Sequence, residues 1–438
     1  MAISINKVGG IMKKELLVDI IDKNREAILD LGNKLYTNPE LGYKEFTTKK
    51  IIKDFLESVE LSDYQDYAIT GLKATIGEGN GPHIALLCDM DAIPTANHPL
   101  ANKEDQAAHT CGHHSQMTIM LGAFKAIADS GILKELGGKV SLITAPAEEF
   151  VDFDYRLNLI KEGKIKAFSG KQNLIIEGAF DDVDAVLSSH GNNLEGRKIE
   201  VNIACNGFIA KTAVFKGKSA HAGAYPHKGK NALNAAVLSL NAVGLLRETF
   251  RDEDHIRVHP IIKKGGTVVN TVPDEVIVET YVRGANVEAI LEANEKVDNA
   301  FIHCAKALSC ECEINNIPGY LPSNYYSPLS EYIVRNAKYL VDENDIINGG
   351  RTFASDDLAD VSNIVPVIQI GYSGFSGDFH SCNFNIEDPE MAYIIPSKLI
   401  AMTVFDMLQD VEGFKSQISA YKPTMTKEEY MKEWLFLK

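Results

Sequence analysis

The sequence predicts an α/β protein: a mixed, largely parallel sheet flanked by helices, with a ferredoxin-like α+β unit inserted into it. Three observations predict it. Apolar segments with strand character alternate with helical ones from the N-terminal region to about Ile203. The rhythm then changes to β-α-β-β-α-β, the ferredoxin-like order, before helix, strand and helix return after "NIPGYLPSNYYSP". At 438 residues the chain is also too long for one compact core. The expected division is 1–203 and 317–438 as one body, with 204–316 inserted.

The elements follow in order. Apolar residues recur at helical spacing from Lys13 to about Leu35, and a second helix runs from about Tyr43 to Leu56. "GLKATIGEG" reads as the arm of a β-hairpin. "PHIALLCDMDAIP" reads as a buried strand ending in Asp89 and Asp91. Met117, Met120, Leu121, Phe124 and Ala128 mark one face of an amphipathic helix. "KVSLITAPAEE" is another apolar strand, ending in Glu148 and Glu149, and "DAVLSSHG" is a third, ending in His190. Ligands of such sheets gather beyond the carboxyl ends of the strands, where all five of these side chains fall. In the inserted unit, "IAKTAVFKG" alternates like a strand with one open face, and Leu233, Ala236, Val237, Leu240 and Gly244 stripe a helix. Strands around His255–Lys263 and Val276–Val282, a helix from about Val287 to Leu308 and the strand "CECEI" complete it. A buried strand "VPVIQIGY" and a long helix from about Met391 to Gln409 follow.

Composition narrows the function. A formal charge of −16 argues against nucleic acid and anionic membranes as partners. No run of about 18 apolar residues predicts a membrane span. The opening "MAISINKVGGIMKKELL" lacks a signal-peptide core, and Met12 offers a second start position. Seven scattered cysteines do not read as a disulfide framework, so reduced thiols and a cytoplasmic enzyme are expected.

The stretch "HTCGHHSQMTIMLG" gathers His109, Cys111, His113 and His114 at the mouth of a helix. A helix N-terminus favours the thiolate of Cys111, the form that binds metal. Buried histidines and cysteines are also common as plain structure, and a carboxylate pair at a strand end is often a solvated edge. What favours chemistry is the set: a cysteine, histidines and glutamates at successive strand ends suit zinc or a similar ion better than calcium or magnesium.

"TNPELGYKEFTT", "DMDAIP", "HTCGH", "PAEE", "GKSAHAGAYPHKGKNALNAAV", "NTVPDEVIVETYVRG" and "ASDDLADVSNIVP" occur in this order from Thr37 to Pro366. Together they resemble the co-catalytic metallopeptidase-like amidohydrolases, which include aminoacylases, hippurate hydrolases, indole-acetyl amino acid hydrolases and aminobenzoyl-glutamate hydrolases. The last segment is most similar to the aminobenzoyl-glutamate branch. The resemblance implies a zinc-exopeptidase-like catalytic body and two divalent ions per subunit (zinc, manganese, cobalt or nickel). It implies that Cys111, His113, Glu149, His190 and His380 (in "DFHSCNF") bind them, with Cys111 as the bridge. Glu148 becomes the general base, and Asp91 orients a ligand. It further implies a homodimer through the inserted domain, with His221 reaching the partner's cleft to stabilise the oxyanion and with Asn270 and Arg283 holding the substrate.

The expected activity is hydrolysis of the amide of an N-acyl amino acid or related aryl-amide. A dipeptidase or carboxypeptidase of the same chemistry is the alternative among enzymes, and an inactive metal-holding binding or regulatory protein the alternative of another class. Three departures from the family pattern stand out. His114 follows "CGH" where Asp or Asn is usual, Cys88 precedes "DMDAIP" where arginine is common, and a longer charged segment follows "PAEE" over residues 150–173. His114 is expected either as an outer partner of the ligands or as a residue that shifts metal preference, and the segment as a determinant of specificity. Cys310 and Cys312 share one face of a strand without the further nearby cysteines a second zinc site needs, and His255 and His259 alternate on a strand and read as surface residues.

Overall fold

The computed structural model describes residues 2–435, with side chains from Met12 onward. The chain divides into two compact units. One comprises the chain up to Ala204 with Asn324–Arg351 and Asp360–Glu428; the other comprises Cys205–Ser323, Thr352–Ala359 and the chain from Glu429. The last two segments join the inserted unit through backbone and indole bonds that sequence periodicity does not register. The Asn206 N–H donates to the Ala354 carbonyl at 3.0 Å, and Trp434 Nε1–H to the Gly319 carbonyl at 3.2 Å.

The first unit is built on an eight-stranded sheet. Its order is Tyr64–Tyr67, Gly71–Glu78, Gly138–Ala145, His83–Asp89, Ala185–Gly191, Val367–Tyr372, Ile199–Ala204 and Ile346–Arg351. The four central strands are mutually parallel. "HIALLCD" is buried along its whole length, as a parallel strand covered on both faces must be. Removing Leu86 from this core by substitution to Ala would cost about 2–5 kcal/mol. The shared direction carries the ends of these strands to one edge, where Asp89 pairs with Ala145 and His190 with Gly371.

Helix His113–Ser130 packs on this sheet beneath Arg25–Tyr36 and Ile395–Gln409. Its first two-thirds are buried on every side, so the amphipathic reading is corrected: one face meets strands and the other meets helices. The predicted Lys13–Leu35 helix is two helices, Ala2–Lys23 and Arg25–Tyr36, broken at Asn24, whose amide donates to the Ile20 carbonyl at 2.8 Å. The absence of a membrane-length segment is also corrected. Glu390–Gln409 is long and apolar enough by composition, but 94% of that window is buried inside the fold, which makes it a core helix.

In the second unit, Gly207–Lys216, Glu275–Gly284 and Glu311–Pro318 form an antiparallel sheet with Arg257–Val258 and Ile261–Lys264 at its edge. Helices Ala232–Leu246 and Val287–Ala307 pack on it, capped by the side chains of Asn231 and Asn286. This is the ferredoxin-like arrangement. The strand read across His255–Lys263 is interrupted at Pro260, which has no N–H to give to a ladder.

Candidate metal centre

Gly112 lies between Cys111 and His113 at φ +84°, a left-handed conformation that a residue with a Cβ adopts only with strain. That bend ends the incoming loop and starts the helix at His113, so the thiol and the imidazole turn toward the same edge. His113 Nδ1 donates to the Asp91 carbonyl at 2.8 Å, with Asp91 Oδ1 at 3.2 Å. Its Nε2 is buried with no hydrogen-bond partner. His190 Nδ1 lies 2.7 Å from the Gly191 carbonyl, and its Nε2 is 3.6 Å from Cys111 Sγ. His380 comes from a loop, itself at φ +61°, pinned where its N–H donates to the Thr110 carbonyl at 2.9 Å. Its Nε2 stands 3.2 Å from Glu149 Oε1.

These side chains form two trios that share one residue: Cys111 with His113 and His190, and Cys111 with Glu149 and His380. Within each trio the candidate ligand atoms lie within 4.8 Å of one another. Glu148 joins His113 and Glu149 in a third group, its Oε2 3.9 Å from His113 Nε2. An orphaned buried imidazole nitrogen beside a thiol, further imidazoles and carboxylates fits a borderline divalent ion. The tautomers of His113 and His190 are fixed by the carbonyl acceptors behind them.

The electrostatics call for positive charge. Burial alone would lower the His113 pKa, but the hydrogen bond and charge of Asp91 outweigh it and raise it to about 9. The bond to Glu149 likewise raises His380. Burial works to raise Glu149, yet the bond and charge of His380 leave its carboxyl below the usual range. For Cys111, burial and then Glu149 and Glu148 push the thiol well above its ordinary value. The helix N-terminus favours the thiolate, but burial and the two carboxylates oppose it more strongly.

His114, one position on, points elsewhere. It belongs to none of the three groups; its ring packs 4.4 Å from Tyr36, 5.4 Å from His109 and 6.1 Å from Tyr393. Neither ring nitrogen has a hydrogen-bond partner, so it orients no ligand through one. Residues that sequence reasoning passed over sit behind the centre instead. Lys171 forms a wholly buried ion pair with Asp89, and Arg156 and Glu45 bind the backbone around Ala147. Two of these, Arg156 and Lys171, come from the unusual segment 150–173, which was the available signal.

His221, Asn270 and Arg283 belong to the inserted unit. His221 is exposed, and its Nδ1 accepts from the N–H groups of Gly223 at 3.2 Å and Ala224 at 3.1 Å. The proton is therefore on Nε2, which makes that atom a donor. Asn270 is exposed, and its carbonyl accepts from the Ala222 N–H at 2.8 Å. Arg283 lies against the rings of Phe208 and Tyr281, which pack on each other at 4.7 Å, and donates to His259 Nε2 at 3.2 Å and Ser355 Oγ at 2.7 Å. His259 is exposed, as expected of a surface residue, and accepts the Arg283 bond at Nε2.

The model of Peptidase family M20/M25/M40 matches residues 85–396, well over half of the chain. The chain belongs to this family. As an M20 protein it is a hydrolase of amide or peptide bonds. It is 25% identical over 446 aligned positions to the Homo sapiens Xaa-Arg dipeptidase, covering 94% of this chain and 93% of that one. It is 27% identical to the N-acetyl-L-cysteine deacetylase of Bacillus subtilis over 83% of this chain and 84% of that one. Among solved structures, a dinuclear metal-binding M20 peptidase from Bacillus subtilis superposes with a TM-score of 0.68 at 21% identity, covering 89% of this chain and 99% of that one. That M20 structure shares the fold.

Proposed function

We propose that this chain is a dinuclear metal-dependent amidohydrolase that cleaves an N-acyl amino acid or a dipeptide into a carboxylate and an amine. The observation that carries the reading is the pair of trios meeting at Cys111, with Glu148 beside them and outside both. Cys111 would bridge, His113 and His190 would complete one position, and Glu149 and His380 the other. Divalent ions held there would supply Lewis acidity to the scissile carbonyl and acidify a water.

The chain's own residues supply the rest. Glu148 takes a proton from the attacking water on its carboxylate as the C–O bond forms and returns it to the amide nitrogen as the C–N bond breaks. Glu149 serves less well as the base because its charge is engaged by His380. The Asp91 carboxylate lies 3.2 Å from His113 Nδ1 through Oδ1 and accepts the Glu149 N–H at 3.1 Å through Oδ2, so one buried carboxylate orients both. We assign His221 Nε2–H as the donor to the developing oxyanion, acting from the partner of a homodimer, and Asn270 and Arg283 as contacts to the substrate. Support for the dimer is the exposed outer strand Ile261–Lys264, with Ile261 and Ile262 open to a second sheet edge. The seven described cysteines form no disulfide, which supports a reducing, cytoplasmic setting.

The human relative named a dipeptidase spans nearly the whole chain, which keeps dipeptides beside acyl-amino acids as substrates. The test is to add cobalt, manganese or zinc to the metal-free protein and measure amine release from a panel of both. Release from neither class with any metal would leave the inactive-relative reading in its place.

A further inference from the structure

The loop bearing Glu148 and Glu149 is held from three directions. Ala147 adopts φ +52°, in the left-handed region that residues with a Cβ avoid. Its N–H donates to Glu45 Oε1 at 2.8 Å, and its carbonyl accepts the Gly170 N–H at 3.3 Å. Arg156, 1% exposed, closes the third side. Its Nη1 donates to the carbonyls of Ala147 at 3.4 Å and Phe168 at 3.0 Å, and its Nη2 to the carbonyl of Glu149. Gly42 leaves the room: a Cβ there would come within 2.9 Å of Arg156 Nη2 and 2.8 Å of Ala147.

One planar guanidinium thus satisfies carbonyls on both sides of Glu148. A lysine ammonium is a point donor and cannot reproduce that fork. We propose that Arg156 is a positioning residue for the reaction: it fixes the strained turn that aims Glu148 at the substrate's water and Glu149 at the metal. The inference rests on the proposed hydrolytic site and deepens it, giving a residue of segment 150–173 a role in setting the general base. Lost alignment of a base lowers turnover more than substrate binding.

The test compares wild type with Arg156→Lys and Arg156→Ala, each loaded with cobalt. Arg156→Lys is expected to lower kcat by about tenfold or more with KM within about threefold, and to weaken cobalt binding by about tenfold. For Arg156→Ala, guanidinium chloride at non-denaturing concentration is expected to restore kcat severalfold, and sodium chloride at the same concentration is not. Wild-type kcat and cobalt affinity in Arg156→Lys would overturn the proposal. So would a rescue that sodium chloride matches, or a failure of both variants to fold, which would make Arg156 part of the scaffold only. A wild-type protein that neither binds cobalt nor releases amine would contradict the proposed function instead.

Discussion

His113 and Asp91 form a buried pair in which the imidazole Nδ1 lies 2.8 Å from the Asp91 carbonyl and 3.2 Å from Oδ1, leaving Nε2 directed at the ligand cluster. Asp91 thereby sets the tautomer that a metal requires. Asp91→Ala is expected to weaken metal uptake by about 10–100-fold, the usual consequence of losing such support. Metal titration of the variant checks it, and unchanged affinity would show that the backbone carbonyl alone suffices.

Glu148 and Glu149 are adjacent but differently engaged, since only Glu149 meets His380 and shares a trio with Cys111. Glu148→Gln should keep its metals while turnover falls by about a hundredfold or more. Glu149→Gln should lose metal. Metal analysis alongside kinetics decides it, and the reverse pattern would exchange the two roles.

Proton competition should govern loading. With His113 raised to about 9 and the Cys111 thiol higher still, both hold protons at neutral pH in the metal-free protein. Binding must displace them, so apparent affinity should fall as pH falls, by about tenfold per pH unit for each displaced proton. A titration in weak buffer near pH 7 should release at least two protons per chain, with His380, also raised, adding to the count. Release of none would mean that the thiol and the imidazole are not ligands.

His221 offers a defined donor, because two backbone N–H groups occupy its Nδ1. His221→Ala should fold and keep its metals but lose about a hundredfold or more in turnover. Mixed with Glu148→Gln, it should recover toward about a quarter of wild-type activity if subunits exchange fully, since one site of each mixed dimer is intact. Demonstrated exchange without recovery would place His221 in its own chain's chemistry or outside the reaction.

Much of the centre was legible because chemistry and topology coincide. Asp91, Cys111, His113, Glu149 and His190 follow strand ends or open a helix, and the sheet brings those ends together. What sequence could not convey is pairing over distance. Lys171 meets Asp89 from beyond three strands and three helices, and Glu45 reaches Ala147 from 102 residues away. His114 misled for a simpler reason: neighbours on a helix diverge by about 100°, so a residue next to a ligand turns toward Tyr36 and Tyr393 instead. The helix itself seemed one-faced because small residues such as Gly122, Ala123 and Ala126 carry little hydrophobic signal, yet they are buried too.

The central claim is that two metal positions meet at Cys111. Cobalt titration of the metal-free protein, followed by absorption of the thiolate-to-cobalt charge-transfer band, tests it most directly in wild type and Cys111→Ser. The account predicts two equivalents per chain for wild type, with the band growing through both, and loss of tight binding at both positions in Cys111→Ser. A wild-type endpoint at one equivalent, or a Cys111→Ser protein that still takes up one cobalt at full affinity, would contradict it.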